Sequence, residues 1–245
     1  MGEARQARAG SFGGTARDYE RGRAVYPDEA VQWLVEGAGK VADLGAGTGK
    51  LTGALSRYAT EVLALERQHQ MLLHLRRAAP SALVACSVAE SLPVRSGWAD
   101  AVVVAQAFHW FDQQLAVPEI RRILTPGGRL SLVWNVRDES HGWVAELARI
   151  AGPENSSETR ARLDQLPGFR PFERQTWRTT QTLDRDSLLA HVRSRSNVAT
   201  LNHRARERVL DEVAHLCDTH PALRGKGTFE LPYKTQAFRA RSAES

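Results

Sequence analysis

Apolar residues recur at helical spacing along 28–36, at Ala30, Val31, Leu34 and Val35, and predict a helix that starts behind Pro27. Lys40 to Leu44 follows as a short buried strand that runs into glycines. Residues 50–58 read as a helix, and 62–65 as a second strand closing on Glu66. Residues 69–79 form a helix stopped by Pro80. A third strand is expected at 82–86, and a fourth, the most apolar, at 101–105. Residues 112–124 are helical, kinked or started late by Pro118. Thr125-Pro126-Gly127-Gly128 is a turn, because proline presets φ and glycine supplies a positive φ; a fifth strand spans 129–134.

Strands that alternate with helices need crossover connections, so the expected fold class is α/β with a doubly wound, mostly parallel sheet covered on both faces. The pattern weakens after Asn135. A helix at 143–150, a Pro/Ser/Asn-rich loop at 152–158, strands at 174–180 and 228–233 and a basic, mostly helical stretch at 186–220 complete the reading. The expected organisation is one domain over 11–240, with disordered ends at 1–10 and 241–245. Within it, 37–137 forms the core, 138–227 a covering region with a helical insertion, and 228–235 the final strand.

The chain has 245 residues, enough to bury a substantial core, with 42% hydrophobic and 25% charged residues. The net charge of +5 is mostly arginine, but the arginines are scattered rather than striped. A solvated surface explains them, and no nucleic-acid partner is expected. Cys86 and Cys217 lack metal-ligand company, so they read as reduced thiols of a cytoplasmic protein, and no metal is expected. Residues 1–10 are polar and basic without an apolar stretch, so no signal peptide is expected there. No apolar run approaches a membrane span, so no membrane partner is expected.

The sharpest chemical signal is the strand and turn from Val41 to Gly49, which contains Asp43, Gly45, Ala46, Gly47, Thr48 and Gly49. Glycines let the backbone turn tightly and let a ligand approach the main chain, and the following helix offers free N–H groups. A nucleoside triphosphate loop needs Lys-Ser/Thr after a longer spacing, and here Lys50 is followed by Leu51. A dinucleotide loop needs its third glycine at position 50, where lysine stands. Asp43 is a poor neighbour for a pyrophosphate but a good one for a cationic ligand. S-adenosylmethionine carries an ammonium and a sulfonium and no phosphate. Glu66 ends the second strand near the ~20-residue offset at which an acidic group meets ribose hydroxyls.

Together these residues resemble the class I S-adenosylmethionine-dependent methyltransferases, specifically the small-molecule group that includes trans-aconitate methyltransferase-like proteins. Val41 to Gly49, Glu66 with Met71, Ala89 to Pro93, Asp100 to Gln106, Phe108 to Phe111 and Leu124 to Gly128 carry the resemblance. It covers Phe12 to Arg137 well and continues more loosely to Tyr233. The resemblance implies a seven-stranded Rossmann-like sheet with a reversed final hairpin and an N-terminal lid over 11–36. It implies that Asp43 to Gly49 contact the methionine part of the cofactor and Glu66 its ribose. The turn Ser87-Val88-Ala89-Glu90 would hold the adenine. Relatives often carry aspartate where Val88 stands, so adenine recognition here would rest on the backbone, as at Ala89 N–H, and on apolar packing.

Loops at the carboxyl ends of the strands face the ligand crevice of an open α/β sheet. Gln106 would meet the amino-acid end of the cofactor through its backbone. His109 is a candidate general base toward an acceptor hydroxyl, or else a packed ring against Trp110. Tyr19, Arg23 and Tyr26 precede the first strand, where Tyr19 or Arg23 would reach a carboxylate of cofactor or substrate. Trp110 and Trp134 are candidates for lining a partly apolar acceptor site, with core packing the plainer role for Trp134. The function expected is methyl transfer to a small-molecule oxygen, carboxylate or hydroxyl, by a monomer or homodimer. A nitrogen or carbon acceptor and a noncatalytic cofactor-binding protein are the alternatives.

Overall fold

The computed structural model describes residues 24–152 and 157–243, excepting the Glu158 side chain. Tyr19, Arg23, the start of the expected lid and the N-terminal segment 1–10 lie outside the described residues. The first elements are α1 (Asp28–Val35), β1 (Lys40–Leu44), α2 (Lys50–Leu55), β2 (Glu61–Glu66), α3 (His69–Ala78), β3 (Leu83–Cys86) and β4 (Ala99–Ala105). A single 3-10 turn (Phe108–Trp110) leads to α4 (Gln113–Ile123) and β5 (Leu124–Arg137). Then come α5 (Gly142–Ala151), α6 (Ser157–Ala161), β6 (Glu173–Leu183), α7 (Arg185–Arg193), α8 (Ser196–Ala199), α9 (His203–Thr219) and β7 (Phe229–Arg241). The sheet is mixed and mostly parallel, in the order β3-β2-β1-β4-β5-β7-β6. It is the seven-stranded α/β sheet of the methyltransferase fold, with the last strand placed between β5 and β6.

β1 lies against β2 on one side and β4 on the other, both parallel. It is buried on both faces, which explains its continuous apolar run. Asp100 on β4 accepts from the N–H groups of Gly39 and Lys40, at 3.0 and 2.9 Å, and so sets where β1 begins. α4 tolerates Pro118 inside it and starts at Asp112, whose carboxylate accepts from Gln114 N–H at 3.1 Å.

The expected turn at 125–128 instead lies within β5 as an irregularity. Leu124 pairs with Ala99 and Arg129 with Ala101, so β5 spends five residues where β4 spends two. Gly127 takes φ +72° there, and a Cβ on Gly128 would stand 2.9 Å from the Thr125 carbonyl oxygen. β7 is also longer than its apolar pattern suggests. It runs to Arg241, and Ser242 bridges Phe169, so ordered backbone continues beyond residue 240.

The chain divides by its contacts into two compact units. One comprises 26–135, 157–177 and the described residues from 235. Its core gathers Val31, Leu34 and Val35 of α1, Val41 of β1, Leu51 and Leu55 of α2, and Ala101 and Val103 of β4. The other comprises 136–152 and 178–234, with Ala24 and Val25. Its core packs Trp143, Val144 and Leu147 of α5 with Leu188 and Val192 of α7 and Leu210, Val213 and Leu216 of α9. Asp184 begins α7 with a reciprocal cap, its side chain accepting from Ser187 N–H and its own N–H donating to Ser187 Oγ. Among the described residues no helix is long and apolar enough to cross a membrane, and no group of His, Cys, Asp or Glu is arranged to hold a metal.

Candidate functional site

The turn after β1 is built by three glycines with positive φ: Gly45 at +67°, Gly47 at +58° and Gly49 at +87°. A Cβ on Gly45 would stand 2.8 Å from Cβ of Ala107 and 3.6 Å from the Phe111 ring. The turn thus lies directly against the loop after β4, at the carboxyl ends of both strands. The N–H groups of Gly45 and Ala46 donate to the Leu65 carbonyl at 2.8 and 3.2 Å, which fixes the turn to β2.

Glu66 ends β2 beside this turn and is buried. Oε2 accepts from Gly47 N–H at 3.0 Å and Oε1 from Gln68 N–H at 2.8 Å. Each carboxylate oxygen can accept twice, so both retain capacity for a further donor. Asp43 is fully buried. Its Oδ2 accepts from Thr52 Oγ1 at 2.7 Å, while Oδ1 has no hydrogen-bond partner among the described residues. Burial raises its pKa to about 7, against the lowering effect of the Thr52 hydroxyl and with a smaller push from the Glu66 charge. Thr48 Oγ1 is likewise buried without a partner among the described residues.

The expected adenine turn leaves β3 at Ser87, whose N–H donates to the Glu66 carbonyl at 3.2 Å. Ser87 Oγ donates to the carbonyls of Val88 and Ser91, which closes the turn. Val88 is exposed and Ala89 buried. Glu90 accepts from Asp112 N–H at 2.8 Å, which ties this turn to the loop after β4.

That loop begins with a strained residue. Gln106 has φ +56°, the one positive φ at a non-glycine among the described residues. Its N–H donates to the Val133 carbonyl at 3.0 Å and its Nε2 to the Asn135 carbonyl at 3.2 Å. Strain of this kind persists where the surroundings hold it and is typical of functional sites. Phe108 and Phe111 follow, both buried and packed edge to face. His109 is buried, with its ring 4.6 Å from that of Trp110. The indole N–H of Trp134 points at His109 Nδ1 over a long 3.5 Å.

The structure therefore brings Asp43, Gly45, Gly47, Glu66, Glu90 and Gln106 around the carboxyl ends of β1, β2 and β4. It does not bring Trp134 there as a surface: the indole is fully buried, edge to face with Phe238. The plainer reading, core packing, describes it. Tyr26 packs against the core beside α1. Sequence reasoning missed Thr52, the partner of Asp43. Its signal was a polar residue on the buried stripe of α2, between Leu51 and Leu55. It also missed Ala107 and Asn135, whose parts depend on contacts across the sheet.

These residues fit S-adenosylmethionine on the structure's own terms. Two buried polar atoms without partners among the described residues, an acceptor on Asp43 and a hydroxyl on Thr48, flank a turn whose glycine backbone a ligand can approach.

Comparison with known proteins agrees. The family described as a methyltransferase domain matches residues 42–132. An uncharacterized methyltransferase of Mycobacterium tuberculosis is 43% identical over 231 residues, 94% of this chain and 95% of its own. An uncharacterized methyltransferase-like protein of Schizosaccharomyces pombe is 30% identical over 233 residues, 90% of this chain and 91% of its own. A solved structure from Anaeromyxobacter dehalogenans, assigned as a type II methyltransferase, superposes with a TM-score of 0.65 at 24% identity. It covers 90% of this chain and 97% of that one, and shows the shared fold. Fold and site define a class I α/β methyltransferase. The chain belongs to the methyltransferase-domain family, as an S-adenosylmethionine-dependent enzyme.

Proposed function

We propose that the acceptor is a small molecule methylated on oxygen, within the trans-aconitate methyltransferase-like group that the sequence resembles. Asp43 to Gly49 hold the methionine part of the donor, and Glu66 accepts from its ribose hydroxyls. The turn from Ser87 to Glu90 borders the adenine, and the strained main chain at Gln106 meets the amino-acid end. S-adenosylmethionine supplies an electrophilic methyl carbon, whose S–C bond breaks as the acceptor oxygen forms its C–O bond. Alignment and exclusion of water are then the protein's main tasks. Phe108, Phe111 and Trp110 supply the apolar surroundings for them.

The observation that carries the reading is the loop after β4. It presents Gln106-Ala107-Phe108-His109-Trp110, an aromatic run with one histidine, where an amino-directed nucleic-acid enzyme would show Asn/Asp-Pro-Pro-Tyr/Phe. Of the two oxygens, a carboxylate needs no base and is the simpler acceptor, while a hydroxyl would call on His109, whose ring stands beside those of Trp110 and Trp134.

The test is incubation of the protein with a metabolite library and methyl-labelled S-adenosylmethionine, read by mass spectrometry. Labelled methyl esters are the expected products. Labelled N- or C-methyl products would overturn the oxygen assignment. Donor binding with no transfer to any fraction of cell extract would point to a noncatalytic binding protein.

A further inference from the structure

A second concavity lies at the other end of the sheet. Glu36 after α1, Arg129 in β5, Arg170 and Glu173 at the entry to β6, and Arg239 and Arg241 in β7 surround a cavity of about 530 Å³. That volume is within the ~300–1,000 Å³ of small-ligand sites. Arg129 pairs with Ala101 near the start of β4, while Val133 pairs with Ala105 at its end, beside the cofactor loops. Four residues of strand separate the two by roughly 13 Å. A ligand here would therefore not compete with the methyl donor.

The charges in this cavity are not balanced. Both carboxylates are committed to one guanidinium: Arg239 bonds Glu36 Oε2 at 2.9 Å and Glu173 Oε2 at 2.9 Å. Arg239 also donates to the Trp33 carbonyl and lies over the Trp33 ring, 4.3 Å from its centroid, so its position is fixed. The other three arginines form no ion pair with a carboxylate among the described residues. Arg129 donates to the Glu36 carbonyl and Arg241 to the Gly127 carbonyl. The Arg170 side chain is exposed and makes no hydrogen bond or ion pair among the described residues. Four guanidiniums against two carboxylates leave an excess of two positive charges. Burial, and then the nearby charges of Arg239 and Arg241, lower the pKa of Arg129, and Glu36 and Glu173 offset this only in part, so these cations feel one another.

Scattered surface arginines extend into water and separate. Here they come from β5, from β7 and from the segment before β6 and converge on one concavity, with Arg129, Arg239 and Arg241 held by carbonyl oxygens. Planar guanidinium forks match phosphate oxygens two at a time. We infer that this cavity binds a small oligoanion carrying two or more phosphate groups. The volume exceeds what a single inorganic phosphate fills, and guanidiniums that arrive from three segments can grip more than one phosphate group.

The test is calorimetry on the full chain saturated with S-adenosylhomocysteine. The titrants are tripolyphosphate, pyrophosphate, ATP and, at matched ionic strength, sulfate. Tripolyphosphate or ATP is expected to bind with one-to-one stoichiometry while sulfate does not. Arg170→Glu and Arg129→Gln should each weaken that binding about tenfold or more with S-adenosylhomocysteine affinity unchanged, and Arg170→Glu should also leave thermal stability unchanged. Arg170 has no structural bond to lose, so its variant reports on the ligand rather than on folding. ATP binding more tightly than tripolyphosphate would identify a nucleotide as the source. Equal affinity would identify the phosphate chain itself. No heat at about millimolar titrant, equal binding by both variants, or binding of sulfate as tightly as tripolyphosphate would overturn the site. Binding of a nucleic-acid duplex without binding of tripolyphosphate would overturn it as well.

Discussion

Asp43 is a carboxylate that folding places where its charge is disfavoured. Its pKa rises from 3.8 to about 7 as the chain folds, mainly through burial. The folded state therefore binds the proton more tightly than the unfolded state. Its contribution to stability is fully present below about pH 4 and is lost as pH rises through about 7. The cofactor-free protein should melt at a lower temperature at about pH 8 than at about pH 5.5, and Asp43→Asn should flatten that difference. Scanning calorimetry of both proteins checks it; identical slopes would assign the effect to another group. Glu66 makes a different prediction. Its oxygens anchor two backbone N–H groups and, in the proposed site, meet the ribose. A charge-assisted hydrogen bond contributes about 1.5–3 kcal/mol. Glu66→Ala should therefore weaken cofactor binding roughly ten- to hundredfold in a protein that still folds, which calorimetric titration measures. For His109 the acceptor decides. With a carboxylate substrate, His109→Ala should cost little beyond positioning, and the rate should be flat above the acceptor's own pKa. With a hydroxyl substrate the loss should reach about 10²- to 10⁴-fold, and the wild-type rate should climb through neutral pH. Steady-state kinetics of wild type and variant across pH separate the two.

At the scale of elements, β5 and β7 are joined by a buried polar contact as well as by their ladder. Thr235 Oγ1 donates to Asn135 Oδ1 at 2.6 Å, and Thr235 is fully buried. Thr235→Val keeps the shape and removes the donor. It should lower stability by about 1–3 kcal/mol, seen as a lower urea midpoint with an unchanged slope. Such a contact also marks where sequence reading runs out. β1, β2 and the turn between β1 and α2 were legible to within a residue or two. Each central strand is a continuous apolar run, and the turn's glycines have a local cause. Glu66 was legible for the same reason, since a strand end and an offset along the chain locate it. The apolar pattern carries β7 only to 233–235, because Lys234, Thr235 and Gln236 interrupt it. What continues the strand is its place between β5 and β6, partners far away in sequence. β5 was read as a turn followed by a strand, because Pro126 and Gly127 are turn residues wherever they stand; pairing with β4 on both sides absorbs them into one irregular strand. The Asp43–Thr52 bond likewise depends on how α2 seats against β1, which no local pattern states.

At the scale of the whole molecule, each of the two units carries its own apolar core, and the proposed donor turn belongs to the unit that includes 26–135. A ligand that binds only the folded chain stabilises it by mass action, about 2.7 kcal/mol at a hundredfold excess over its dissociation constant. For a chain of this size that is a rise of roughly 5–10 °C in melting temperature. S-adenosylhomocysteine should produce such a rise in a thermal-shift assay, and NADH should not. The two anchored oxygens of Glu66 carry one further consequence, which concerns rates. Gly47 and Gln68 are held by that carboxylate, which braces the turn around the donor site. Encounter should then be a single step whose observed rate climbs linearly with ligand concentration in stopped-flow fluorescence. Donor and spent product should associate almost equally fast. Discrimination between them would reside in how long each one stays, and release of the product would set the pace of turnover.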